Sequence, residues 1–222
     1  MNSTTDIVWL QDDLRIADNP LFRFTARPSY LLCLFVVDEQ WLAPLIEGES
    51  TPRIGPARLR FLWQSLMELR GELLQRGSDL LVRIGKPSNV VIELSASLNA
   101  RQIRVAEHPG VEENAHIQAV VEALPSETTV TCMESGRLFE RHALPFEQAA
   151  LPESFSAFRR SVEQACTVPE NRCAPVTLPP WPEAPRGFPP LKAVCEQSAT
   201  WQPDSRQGYV YRGGESAAHT RL

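Results

Sequence analysis

The chain has 222 residues, 43% of them hydrophobic and 22% charged, with a formal charge of −5; such a chain is long enough to bury most of its apolar surface in a globular core. Its longest unbroken apolar run, Tyr30 to Val37, is eight residues, too short for a membrane-spanning helix, and the opening Met1-Asn2-Ser3-Thr4-Thr5-Asp6 lacks the basic and apolar regions of a signal peptide. A cytoplasmic location is expected. Residues 1–145 carry 14 basic and 19 acidic side chains, the remainder 8 and 8, so all the net negative charge lies on the first part, which is poorly suited to gripping a phosphate backbone.

Five β-type runs follow one another: Asp6–Leu10, Tyr30–Asp38, Asp79–Ile84, Gln102–Glu107 and Thr128–Met133. The second is almost continuously hydrophobic, the pattern of a strand covered on both faces. Pro56 opens a helix with Leu59, Leu62, Trp63, Leu66, Leu69, Leu73 and Leu74 at three- and four-residue spacings, closed by Gly77. Pro87 opens another, with Val90, Val91, Leu94 and Leu98 on its inner stripe, and a third runs from about Glu112 to Leu124. Alternation of strand and helix predicts an α/β fold: a Rossmann-like, doubly wound, five-stranded parallel sheet flanked by helices.

Beyond residue 145 the period changes. A short helix is expected over Glu153–Ala165. Eight prolines then fall between Pro169 and Pro190, a density that excludes helix and central strand and predicts an extended, proline-rich linker. Its aromatic residues Trp181 and Phe188 should lie against something. The final turns after Gly213-Gly214 read as a helix cut short.

Little of this carries obvious chemistry. Cys33 and Cys132 read as small core residues; there is no Cys-x-x-Cys and the four histidines lack metal-ligand spacing, so a zinc or redox site is not expected. The loop after the first strand, Gln11 to Pro20, has neither a Gly-x-Gly-x-x-Gly nor a Walker motif. Asp18-Asn19-Pro20 suits a helix start, with an Asp or Asn cap before Pro, and Asp13 and Arg15 suit a loop-holding ion pair.

Taken in order, however, these blocks add up to a resemblance. Trp9-Leu10-Gln11-Asp12-Asp13-Leu14-Arg15-Ile16-Ala17-Asp18-Asn19-Pro20 resembles the opening motif of the photolyase/cryptochrome family. Arg53-Ile54-Gly55-Pro56-Ala57-Arg58 resembles its next block. Gly77 to Arg83 with Gly85-Lys86-Pro87 resembles the strand that follows. Leu144-Pro145-Phe146 and Phe155-Ser156-Ala157-Phe158-Arg159-Arg160 are most similar to DASH-type cryptochromes. Gly213-Gly214-Glu215-Ser216 and Arg221-Leu222 match the start of the family's helical flavin domain. Asp13, Arg15, Asp18, Asn19, Arg53, Gly55, Pro56 and Arg58 thus belong to structural motifs. The sequence departs from the pattern at Leu10-Gln11, where Phe-Arg is usual.

The resemblance implies a division at about residues 1–145 (antenna-side α/β domain), 146–205 (short helix and proline-rich interdomain linker) and 206–222 (first turns of the helical domain). It implies a blue-light flavoprotein parent that repairs cyclobutane pyrimidine dimers as a deoxyribodipyrimidine photo-lyase, a carbon–carbon lyase, or that senses light. FAD and the lesion would be held by the helical domain of the same parent, and DNA would be met only through it. This chain alone is expected to be inactive and to hold no cofactor of its own. A folate antenna, methenyltetrahydrofolate, is a further implication; Glu113 matches the family carboxylate that bonds the pterin edge, and Trp41 is a candidate aromatic wall. Read without the resemblance, Glu112 and Glu113 equally suit the first turn of a helix and Trp41 suits a core or interface. No metal and no membrane partner are expected. The alternatives are a stand-alone Rossmann-like nucleotide-binding enzyme and a light-signalling module. Weak self-association through Trp181, Phe188 or Trp201 is expected of the isolated chain.

Overall fold

The computed structural model describes residues 3–170, 172–204 and 210–221. Five strands, β1 (Thr5–Leu10), β2 (Tyr30–Asp38), β3 (Leu80–Gly85), β4 (Gln102–Ala106) and β5 (Thr129–Met133), form one parallel sheet in the order β3-β2-β1-β4-β5. Each lies within one residue of its sequence-based expectation at either end. The helices are α1 (Glu39–Leu42), α2 (Pro56–Gln75), α3 (Pro87–Ser97), α4 (Val111–Ala123), α5 (Phe155–Ala165), α6 (Leu191–Val194), α7 (Glu196–Thr200) and α8 (Glu215–Arg221). None is long and apolar enough to cross a membrane.

The two-residue period of the strands sorts the core into two layers. Val8, Leu10, Leu31, Cys33, Phe35, Val37, Leu80 and Val82 meet α2 on one face. Ile7, Trp9, Leu32, Leu34, Val36, Leu81, Ile103 and Val105 meet α3 and α4 on the other. Because β1 is central, all six of its residues are buried. On α2 the stripe Leu59, Trp63, Leu66, Leu69 and Leu73 is buried, whereas Leu74 stays 48% exposed. The end of α2 is closed as expected: Ser78 N–H donates to Leu73 O (3.0 Å) and Gly77 N–H to Leu74 O (3.1 Å), the paired bonds of a Schellman cap.

One expectation fails here. Cys33 is fully buried, but Cys132 is exposed, because β5 is an edge strand that the helical layers only partly cover. Trp181 and Phe188 do lie against something, as expected: the proline-rich segment is folded back onto the domain as a strap, which leaves both half-buried. Leu178 enters the α2-side core at 4% exposure. Pro180 O accepts from Leu31 N–H at the start of β2 (2.9 Å), and Trp181 then packs on the opposite layer. Gly187 O accepts from Val82 N–H on the outer edge of β3 (2.9 Å). Phe188 returns to the first layer, edge-on to Trp63 at 5.3 Å. The segment therefore wraps round β3 and occupies part of an edge that would otherwise be open.

The strap is pinned at Asp79, whose side chain is 1% exposed. Its carboxylate accepts from Arg70 Nε of α2 (2.8 Å), Arg186 Nη1 of the strap (2.6 Å) and Leu80 N–H (2.8 Å). At the other end of the described chain, Gly213 N–H donates to Gln64 Oε1 (3.0 Å) and Ser216 N–H to Glu68 Oε1 (2.7 Å), seating α8 on α2. A Cβ at Gly213 would lie 2.0 Å from Phe61 O, so only glycine permits this approach. The expected boundary at residue 206 lies outside the described residues.

Candidate functional site

In a doubly wound sheet the carboxyl ends of the strands diverge where neighbouring connections leave on opposite faces. Here that point lies between β1, whose following segment crosses on the α2 side, and β4, whose helix α4 covers the other side. A crevice opens there, lined by Gln11 and Asp12 after β1, Asp38 and Trp41 after β2, and Glu112, Glu113 and His116 of α4. It brings both sequence-nominated antenna candidates, Trp41 and Glu113, into one lining.

Each wall has a local cause. Asp38 ends β2 and caps α1 by accepting from Gln40 N–H (2.9 Å), which fixes the turn that carries Trp41. Its other oxygen lies 3.2 Å from His116 Nε2, tying β2 to α4. Glu112 and Glu113 stand in the first turn of α4, where the helix dipole favours carboxylates. Glu112 is held by Arg53 Nη2 at 2.8 Å, which fastens the loop between α1 and α2 to the rim. Glu113 folds back over Gly110; a Cβ there would meet Glu113 Oε2 at 2.0 Å. His108 accepts from Gly110 N–H at Nδ1 (2.9 Å), so in the neutral ring Nε2 carries the proton and donates to Asp12 Oδ2 at 2.5 Å. Glu113 Oε2 lies 3.4 Å from the same Nδ1.

The walls are rich in acceptors. Asp12, Asp38, Glu112 and Glu113 are all carboxylates, and Gln11 adds a fully buried side-chain oxygen that has no partner among the described residues. A buried acceptor without a donor is costly, so the crevice suits a molecule that brings N–H donors and disfavours a phosphate. The enclosed space is only about 30 Å³, roughly the share of one water. A group larger than a water therefore does not fit at the floor and would have to lie across the mouth, beside Trp41 and the part-exposed Glu113.

The motif residues after β1 lie beside this crevice and hold the loop. Arg15 Nε and Nη2 donate to Asp13 Oδ1 (2.9 Å) and Oδ2 (3.0 Å), and Ser135 Oγ donates to Asp13 Oδ2 (2.6 Å). Burial alone would raise the Asp13 carboxyl; these bonds outweigh it and hold it below the ordinary value. Asn19 Oδ1 accepts from Leu21 N–H (2.9 Å) and Pro20 occupies the first position of a short 3₁₀ turn, while Asp18 pairs with Arg23 at 2.8 Å. Buried Arg104 of β4 donates to Leu21 O (2.8 Å) and lies over the Phe24 ring, fixing that turn to the sheet. Gly55 and Pro56 are the cap and first residue of α2. Arg58 is exposed one turn later. None of these residues lines the crevice; Arg53 reaches its rim through Glu112. Sequence reading missed His108 and His116, whose carboxylate partners lie 96 and 78 residues away; no local pattern marks such pairs.

Comparison with known proteins matches residues 6–183 to a family model described as DNA photolyase. A cryptochrome DASH of Gloeobacter violaceus is 32% identical over 225 residues, covering 100% of this chain and 44% of the relative. A Synechocystis cryptochrome structure superimposes with a TM-score of 0.85 at 27% identity, over 100% of this chain and 46% of that one. A class III photolyase from Agrobacterium tumefaciens shares the fold, with a TM-score of 0.70 at 17% identity. The chain thus spans less than half the length of these relatives.

Proposed function

The chain belongs to the DNA photolyase family, in its DASH cryptochrome-like branch, and from that premise we propose that it serves as the antenna-side α/β half of a blue-light flavoprotein. The observation that carries this reading is the meeting of Trp41 and Glu113 in one acceptor-lined crevice at the divergence of the sheet. When bound, a folate antenna would absorb light and pass the excitation on to a flavin. Glu113 would accept two parallel N–H bonds from the pterin's amino-pyrimidinone edge. Trp41 would cover one ring face and Arg53 would hold the rim.

In this proposal FAD, the lesion and the DNA contact belong to a helical half of the same parent, joined through the proline-rich strap and α8. Residues 1–145 act as the antenna-side unit, 146–205 as the connection and 206–222 as the entry to the helical half. Neither dimer repair nor light sensing is performed by these 222 residues alone. The acidic lining speaks against a stand-alone nucleotide enzyme, because a diphosphate would settle among four carboxylates.

Titrating the purified chain with methenyltetrahydrofolate and following its fluorescence tests the reading. Binding is expected to weaken about tenfold in Glu113→Gln, the equivalent of about 1.4 kcal/mol from a charge-assisted bond. Equal affinity for wild type and variant would reject Glu113 as the pterin contact. Stoichiometric FAD in the purified chain, with light-driven reversal of cyclobutane dimers, would reject the division of labour.

A further inference from the structure

The two edges of the sheet are treated differently. Part of the outer edge of β3 is occupied by the strap, through Gly187 O and Val82 N–H. On β5 no backbone partner lies outside β4 among the described residues. Natural sheets blunt such an edge with charge, proline, a bulge or a cover. Thr129-Val130-Thr131-Cys132-Met133 contains neither charge nor proline, and its residues are exposed or half-buried.

The register shows which groups are free. Thr129 N–H donates to Arg101 O and Glu107 N–H to Met133 O. In a parallel ladder in this register, Thr129, Thr131 and Met133 direct their backbone groups inward to β4. Val130 and Cys132 therefore direct theirs outward.

We propose that the β5 edge is a self-association surface, on which β5 of a second copy of this chain adds in antiparallel orientation about a two-fold axis at Thr131. Two outward residues spaced by one form a self-complementary set. Val130 exchanges both backbone hydrogen bonds with Cys132 of the other copy, and Cys132 with Val130, leaving Thr131 opposite its own symmetry mate. Isologous pairing of this kind closes as a dimer. In the same register Glu127 falls opposite Ser135 and Glu134 opposite Thr128, so no like charges are opposed. Glu134 is in addition neutralised by Arg137 at 3.4 Å. Beside the edge, Cys132 also lines an open cleft of mixed character, in which Ile117, Phe139 and Phe146 stand with Glu107, Arg137 and Arg141. The result is a continuous ten-stranded sheet.

Sedimentation equilibrium of the 222-residue chain tests the proposal together with two variants. Wild type is expected to show a concentration-dependent monomer–dimer equilibrium. Cys132→Pro removes an outward N–H and leaves the β4 ladder intact, so it should be monomeric with an unchanged far-UV spectrum. Should that variant misfold, the second decides. Opposed residues of a non-hydrogen-bonded pair have Cα atoms about 4.5 Å apart, within disulfide reach. Thr131→Cys combined with Cys132→Ser should therefore give an interchain disulfide dimer on mild oxidation, whereas Val121→Cys on exposed α4 with Cys132→Ser should not. A wild-type chain that stays monomeric at high concentration, a Cys132→Pro chain that dimerises as wild type does, or cross-linking at Val121 equal to that at Thr131 would overturn the proposal.

Discussion

Asp79→Asn should release the strap. The substitution keeps the side-chain shape and an acceptor for Leu80 N–H, but removes the charge shared by Arg70 and Arg186. Charge-assisted hydrogen bonds contribute about 1.5–3 kcal/mol each. The two arginines are 36% and 58% exposed and regain water once freed, so solvent screening reduces the combined loss to about 2 kcal/mol. For a chain of this size that lowers the Tm by about 4–8 °C. If the strap opens locally, its open population rises about 30-fold, since 1.36 kcal/mol is a factor of ten. Tryptic cleavage after Arg186 should accelerate in proportion while reclosing outpaces cleavage.

The pH dependence of Asp79 gives a second reading of the same contact. Burial would push its carboxyl up, but the bonds from Arg70, Leu80 N–H and Arg186 outweigh burial and hold it below the ordinary value. The unfolded chain therefore takes up the proton first as pH falls. The stabilisation is full well above the ordinary carboxylate value of about 3.9 and is lost as pH falls through the depressed folded value. Wild type should exceed Asp79→Asn in Tm at neutral pH, and the difference should close in strong acid. An unchanged cleavage rate, or a Tm difference that persists undiminished in acid, would refute the assignment of Asp79 as the strap's anchor.

Asp6 should behave in the opposite sense. Burial outweighs the bonds from Arg101 and raises its carboxyl, so its contribution to stability is present below the unfolded value and declines as pH rises through the folded one. Because the Arg101 side chain is 41% exposed and regains water once freed, Asp6→Asn is expected within about 1 kcal/mol of wild type at neutral pH, checked by urea denaturation; a loss of about 3 kcal/mol, that of a buried charge left unpaired, would contradict it. Gly213→Ala places a methyl 2.0 Å from Phe61 O and should lift α8 from α2. Amide exchange over 215–221 should quicken there while β1 and β2 keep their protection.

The fold was largely legible because its signals are local. The continuous apolar run of β2 announces a central strand, and Pro56 and Gly77 bracket α2. Cys132 shows where such reasoning stops. Thr-Val-Thr-Cys-Met has the composition of a buried strand, yet its exposure follows from the position of β5 in the sheet order, which no window of sequence encodes. The motif block Asp13 to Pro20 correctly indicated a held loop, because a cap and a two-residue ion pair are short-range features. The crevice was only partly visible. Glu113 and Trp41 could be nominated from resemblance, but the His116–Asp38 and His108–Asp12 pairs and the partnerless Gln11 oxygen arise from elements far apart in the chain.

The return of the strap to β3 has a kinetic side. Val82 precedes its partner Gly187 by about a hundred residues, which at about 5–20 residues per second is roughly 5–20 s of translation. Throughout that interval β1, β2 and β3 are available to pair while the outer edge of β3 lacks its cover. The nascent chain must therefore emerge from the ribosome with an adhesive strand on show, and the proline-rich segment acts as the late-arriving guard that ends this exposure.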